Sequence, residues 1–107
     1  MYKLDRALIR LSMNSDEVGA LEKLLEIMTR RHIEVLMEMR ARGSLMLKDV
    51  REIARLDYYR ARRLMEDLKS AGMVVEERYG RTRVYRLTER GVMVLDALKR
   101  LAEVLWG

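Results

Sequence analysis

Arg60, Arg62 and Arg63 fall within four consecutive positions, directly after Tyr58 and Tyr59. A guanidinium presents a planar fork of donors that can meet guanine O6 and N7 together, or paired phosphate oxygens, and an aromatic ring can pack against a base or a sugar. The chemistry on offer is recognition of a polyanion. A second basic group, Arg78, Arg81, Arg83 and Arg86, surrounds Tyr79-Gly80 further along the chain. Each group also has a plain structural reading. Asp57, Glu66 and Asp67 can pair locally with the first, leaving an ordinary solvated helix face, and charges at strand edges protect against sheet-to-sheet aggregation.

Other chemistries find little support. The chain has no cysteine, so disulfides, thiolate metal sites and cysteine nucleophiles are all excluded. No Ser-His-Asp arrangement, phosphate-cradling glycine loop or paired carboxylate motif occurs, which argues against an enzyme and against a cofactor. His32 is the only histidine. Glu34 and Glu38 do not stand at ligand spacing from it, so it reads as a helix residue near the core and no metal is expected. Met28, Met37, Met39, Met46 and Met65 read as core fillers.

With 107 residues and 50% hydrophobic content the chain suits one folded domain with a modest core. Seventeen arginines and five lysines outnumber 17 acids, giving a net charge of +5 that favours an anionic partner. The longest uncharged run, Ser70 to Val75, is too short to span a bilayer, and Lys3, Asp5, Arg6 and Arg10 interrupt the first apolar residues, so neither a membrane span nor a secretory signal is expected. The expected location is the cytoplasm, on the nucleoid. Charged residues at 36%, no Gln and a single Asn resemble the bias of thermophile proteins, although nine methionines do not.

The elements that must hold the arginines follow from spacing. Leu4, Ala7, Leu8 and Leu11 predict a short amphipathic helix ending near Asn14-Ser15, and Asn14 with Glu17 predicts the start of a second, with Val18, Leu21, Leu24, Leu25 and Met28 on one face. Thr29 should cap a third over Arg30 to Arg42, its apolar face Ile33, Leu36 and Met37 with His32 at the edge, stopping at Gly43. Ser44 to Leu47 is expected as a short strand and Lys48 to Arg55 as a brief helix. Asp57 should cap the next helix, whose core side is Ala61, Leu64, Met65 and Leu68, ending at Ala71-Gly72. At about 100° per residue, its opposite face carries Tyr59, Arg63, Glu66 and Ser70, with Arg60 and Arg62 on the flanks and Tyr58 at the core boundary. Met73 to Arg78 and Thr82 to Leu87 then alternate as strands joined at Tyr79-Gly80-Arg81, a hairpin with Arg81 and Arg83 on one face and Arg86 on the other. Glu76 and Glu77, at its base, should turn away from any anionic partner. Thr88 should cap a last helix with a broad stripe of Val94, Leu95, Leu98, Leu101, Ala102 and Leu105 running to Trp106.

In this order of elements, the stretch Leu64-Met65-Glu66-Asp67-Leu68-Lys69-Ser70-Ala71-Gly72-Met73-Val74 and the stretch Tyr85-Arg86-Leu87-Thr88-Glu89-Arg90-Gly91 resemble the winged helix-turn-helix transcription regulators of MarR-like and ArsR-like type, archaeal or bacterial. The resemblance covers roughly Thr29 to Gly91. It implies a mainly α fold with a small β-hairpin: one domain over 1–107, with N-terminal helices in 1–28, a winged core in 29–91 and a C-terminal helix in 92–107. It also implies a recognition helix in the major groove of double-stranded DNA and a basic wing beside it, so that Tyr58, Tyr59, Arg60, Arg62, Arg63, Arg78, Arg81 and Arg83 become the expected DNA-binding residues. The turn before the recognition helix is about three residues shorter than is usual in these families and lacks their common glycine, which leaves open which of these residues read bases. The terminal helices are expected to form a homodimer through Leu95, Leu98, Leu101, Leu105 and Trp106. Two rival functions share the fold: a less specific architectural DNA binder, and a winged helix that binds protein and no DNA.

Overall fold

The computed structural model describes residues 15–107. The helix expected over Leu4 to Leu11 and the Asn14 cap lie outside the described residues. Helix α1 is Ser15–Ile27, α2 Arg30–Arg42, α3 Leu47–Ala54 and α4 Tyr58–Ser70; strands β1, Val74–Tyr79, and β2, Thr82–Leu87, precede α5, Glu89–Trp106. This is a winged helix: a helical layer of α2, α3 and α4, an antiparallel hairpin packed on it, and a long closing helix. No helix among the described residues is long and apolar enough to cross a membrane.

The core lies where α2, α3, α4 and the base of the hairpin meet. Val35, Leu36 and Met39 from α2, Val50 and Ala54 from α3, and Ala61, Leu64, Met65 and Leu68 from α4 close on Met73, Val74, Tyr85 and Leu95. The α4 positions repeat at helical spacing, so one side of that helix is consumed by the core and the other is left to solvent. Burying a leucine such as Leu36 or Leu68 stabilises by about 1.5–3 kcal/mol relative to exposure.

On α2 the buried face is His32, Val35, Leu36 and Met39, which corrects the expected one: Met37 is 60% exposed. Its neighbours at i−4 and i+4, Ile33 and Ala41, line a groove against α5 with it, so Met37 follows that edge instead of the core. Thr29 is at the N-cap position of α2, yet its hydroxyl makes no cap bond; it pairs with His32 Nδ1 at 2.6 Å. His32 Nε2 stands 3.3 Å from Asp67 on α4, so this buried polar side chain ties α2 to α4.

The expected strand over Ser44 to Leu47 is a single bridge, Leu45 to Tyr85, with both backbone bonds made at 3.0 and 2.8 Å. It stops there because Met46 already caps α3, its N–H donating to the Asp49 carboxylate at 2.8 Å. The first hairpin strand begins one residue later than expected, at Val74. Leu95, expected in a subunit contact, is 7% exposed and belongs to the chain's own core, because the N-terminal half of α5 packs back on α2 and β2. Leu101, Val104, Leu105 and Trp106, in its other half, are 55% to 83% exposed.

Candidate nucleic-acid interface

Three elements present the basic residues, and local chemistry fixes each. The Asp57 side chain accepts the Arg60 backbone N–H at 2.9 Å, starting α4 with its first turn facing solvent. The same carboxylate lies 3.8 Å from Arg60 Nε, an exposed pair worth little. Tyr58 and Tyr59 meet edge to face, centroids 5.4 Å apart, and Tyr59 is 81% exposed. Arg63 is exposed on the same side and makes no ion pair among the described residues. Arg62 is half-buried, and its charge reaches the hydroxyl of Tyr85 on β2. Glu66, further along the outer face, pairs with Lys69 at 3.3 Å.

The turn before α4 is Arg55-Leu56-Asp57. Arg55 adopts φ 55°, ψ 50°, the left-handed conformation that the missing glycine would favour, and the N–H groups of Arg55 and Leu56 both return to the Arg51 carbonyl. That closure sets the register of α4: the helix begins at Tyr58 and its core side starts at Ala61. Sequence reasoning missed a third basic group here. Lys48, Arg51 and Arg55, spaced for one helix side, are all exposed on α3 and its cap, and the first two line a shallow cleft with Glu52 and Leu56. Their helical spacing was the available signal.

The hairpin register pairs Glu76 with Tyr85, Arg78 with Arg83 and Tyr79 with Thr82, with a two-residue turn whose Gly80 has φ 65°. Alternation divides the wing into two faces. One carries Val74, Glu76 and Arg78 with Arg83, Tyr85 and Leu87, and packs toward α4 at its base. The other carries Val75, Glu77 and Tyr79 with Val84 and Arg86. On this second face Glu77 accepts from the Tyr79 hydroxyl and holds Arg86 at 3.1 Å, and the Tyr79 hydrogen bond followed by the Glu77 charge raises the Arg86 guanidinium above its ordinary value. Tyr79 and Arg86 are therefore engaged with each other. Arg78 and Arg81 are exposed at the tip and make no ion pair among the described residues.

The two acids at the wing's base differ. Glu77 is on the face away from Arg78 and Arg83, whereas Glu76 shares theirs, a correction to the expectation that both turn away. Its carboxylate meets Lys69 Nζ at 3.2 Å and Arg83 Nε at 3.8 Å. Burial would raise its pKa, but the Lys69 hydrogen bond and charge, the Tyr85 hydrogen bond and Arg83 together hold it below the ordinary carboxyl value. Burial and then Glu76 push the Tyr85 phenol up, against Arg62 and Arg83. Arg62 and Arg83, from helix and wing, thus converge on Tyr85, while Tyr59 and Arg63 occupy the outer face of α4.

Among the described residues no cluster of His, Asp and Glu could hold a metal ion. A concavity of about 590 Å³ lies apart from the arginines of α4 and the wing: an open groove between α2 and α5 lined by Ile33, Met37, Leu98 and Ala102, with Arg40 paired to Asp96 at its rim.

No protein-family model and no curated protein matches the chain. Solved structures do match over most of its length, MarR-family transcription regulators among them. Bordetella bronchiseptica BpsR, described for the regulation of its DNA binding by 6-hydroxynicotinic acid, is 25% identical over 71% of this chain, with a TM-score of 0.61; the chain spans 56% of the BpsR length. A MarR family transcriptional regulator from Silicibacter pomeroyi is 21% identical, with 97% of this chain and 68% of that one covered and a TM-score of 0.67. A mutant MarR from E. coli, complexed with operator DNA, is 17% identical, with 94% and 74% covered and a TM-score of 0.65. The helices and two-stranded hairpin seen here are the winged-helix fold of these MarR-type neighbours.

Proposed function

We propose that this chain is a DNA-binding transcription regulator, not an enzyme, that acts on duplex DNA in the cytoplasm as a homodimer. The observation that carries the reading is the cationic surface shared by two elements: Tyr59 and Arg63 stand free on the outer face of a capped helix, and the wing beside it sets Arg78 directly opposite Arg83. Glu76 offsets Arg83 in part from 3.8 Å, while Arg78 has no acid partner among the described residues, so the pair leaves positive charge that an anionic partner can meet. A helix of this width enters a major groove, where Arg63 meets base edges with Tyr58, Tyr59, Arg60 and Arg62 around it. The wing tip, Arg81 with Arg78 and Arg83, holds phosphate or the adjacent minor groove. Lys48, Arg51 and Arg55 add phosphate contacts from α3. An operator-bound MarR among the structural neighbours favours the same docking.

A dimer supplies what one chain lacks. Leu101, Val104, Leu105 and Trp106 on α5 and Leu21 and Leu25 on α1 are more than half exposed, an apolar surface of the kind that a second copy covers. Two-fold symmetry would then set two α4 helices about one DNA turn, roughly 34–36 Å, apart on a palindromic site.

The test is selection of duplexes from a random pool, followed by anisotropy titrations of a selected and a scrambled duplex across a salt series. A regulator prefers the selected duplex by about 10³-fold or more. Equal affinity with a steep salt slope would make the protein an architectural binder instead, and no binding at physiological salt would make it a protein-interaction module.

A further inference from the structure

Glu76 has an unusual place on a basic surface. It is the least exposed carboxylate in any ion pair among the described residues, its side chain 18% exposed, and its two oxygens serve different elements: Oε1 takes Lys69 from α4 and Oε2 faces Arg83 from β2. Its cross-strand partner Tyr85, 1% exposed, has its phenol within reach of the Glu76 charge, and Tyr85 in turn lies in the field of Arg62 on α4. Beyond Glu76 the wing has no further polar tie to the helix. Arg78, Tyr79, Gly80 and Arg81 are all exposed, and the cluster of Glu77, Tyr79 and Arg86 is internal to the hairpin.

Building on the DNA-binding reading above, we infer that Glu76 is a positioning residue for DNA recognition: the joint, completed by Lys69, Arg83 and Tyr85, that sets the angle and spacing between recognition helix and wing. An acid among cations that bind phosphate should, by charge alone, weaken binding. A joint should strengthen binding to the duplex whose two grooves match the geometry it holds, because a contact aimed in advance loses less freedom on binding. The two accounts therefore predict opposite signs for its removal, and a merely structural role predicts no discrimination between duplexes.

The experiment uses the full chain and two variants, Glu76→Gln, which keeps shape and one acceptor oxygen but loses the charge, and Tyr85→Phe, which keeps the ring and loses the hydroxyl. Each is titrated against a selected and a scrambled duplex over a salt series, with circular dichroism and a thermal melt to establish the folded fraction. The expected result is a loss of about tenfold or more on the selected duplex in both variants. The scrambled duplex should bind as before or, for Glu76→Gln, more tightly with a steeper salt slope, because Lys69 and Arg83 are released to phosphate. Glu76→Asp, which shortens the reach but keeps the charge, should recover part of the preference. If Glu76→Gln tightens both duplexes alike, or both variants leave the preference unchanged, the inference is overturned. Should Glu76→Gln fail to fold, Tyr85→Phe and Glu76→Asp decide on the same readout. A parent that binds no duplex overturns the reading beneath; a parent that binds while the variants keep its preference overturns this inference alone.

Discussion

The Thr88 hydroxyl donates to the Gly72 carbonyl at 2.6 Å, across the open end of the wing. The same oxygen accepts the Gly91 N–H at 3.1 Å, capping α5, and the Thr88 N–H reaches the Met73 carbonyl at 3.0 Å. The two sequence stretches that carry the family resemblance are therefore one physical object. The end of α4 and the start of α5 close on each other, and the hairpin projects from that closure.

Gly91 tests it. A Cβ there would lie 2.2 Å from the Met73 carbonyl oxygen and 3.0 Å from Leu87, and the first of these is backbone that cannot step aside without opening the closure. Gly91→Ala should destabilise by about 3 kcal/mol. In a domain this small that lowers the melting midpoint by roughly 12–24 °C, read by circular dichroism. A variant melting within a few degrees of the parent would contradict the contact.

Arg55 carries the opposite expectation. A non-glycine residue in the left-handed region costs about 1–2 kcal/mol, part of which glycine returns to the unfolded chain as entropy, so Arg55→Gly should raise stability by about 0.5–1 kcal/mol. It should also flatten the salt slope of DNA binding by about one ion, because a phosphate contact is removed. Urea unfolding and the salt series report the two separately. A destabilised variant would mean that the Arg55 side chain is needed for the turn.

These residues show what local sequence can carry. Asp57 before Tyr58, the Ala61, Leu64, Met65 and Leu68 spacing, Gly80 between alternating runs and Thr88 three residues before Gly91 are signals within one turn of the chain, and the elements they predicted lie within a residue or so of their places. What was illegible depends on distance. On α2, Ile33, Val35, Leu36, Met37 and Met39 spread over more than one side of the helix, so packing against α3, α4 and the hairpin chose the buried set and left Met37 on the groove beside α5. A short strand was legible over Ser44 to Leu47, but its reduction to one bridge and its partner Tyr85, forty positions on, were not. The junction at Glu76 needs side chains from α4, β1 and β2 together. Arg55 gives no sign of a left-handed residue, since glycine or asparagine usually marks one.

The two proposed contact types should separate in equilibrium titrations. Arg63→Ala removes a side chain proposed to meet base edges and should cost about 1–3 kcal/mol on a selected duplex, with little change on a scrambled one. Arg81→Ala, at the exposed wing tip, should weaken both and reduce the salt slope by about one. Parent-like titrations for both variants would remove α4 and the wing tip from the interface.

Stability should fall at both ends of the pH scale through one junction. Glu76 is held below its ordinary 4.5, so the folded state binds its proton more weakly than the unfolded state does; that contribution is complete above about 4.5 and is lost as pH falls through the lower folded value. Tyr85 is pushed above its ordinary 10.0, so the folded state keeps its proton longer; this contribution is complete below 10.0 and disappears as pH rises through the folded value. Urea midpoints measured against pH should therefore drop more gently at the acid end in Glu76→Gln and at the alkaline end in Tyr85→Phe, relative to the parent. Identical profiles would show that neither group is linked to folding.

The dimer is tested at the end of α5. Leu105 and Trp106 are 60% and 83% exposed, so replacing them takes nothing from the chain's own core, and Leu105→Glu with Trp106→Glu should leave the melting of one winged domain intact. A stable dimer buries about 1,200–2,000 Å² in total, which an apolar helix end with Leu101, Val104 and the α1 face can supply from each copy, whereas two carboxylates per chain placed in that seam cannot stay solvated. Sedimentation should show the parent as a dimer and the double variant as a monomer. Linking two half-sites raises overall avidity by about 10²–10⁴, so the variant should lose that factor on a two-half-site duplex while binding an isolated half-site as the parent's single subunit would. A parent that sediments as a monomer would overturn the dimer, and a variant that stays dimeric would place the interface elsewhere.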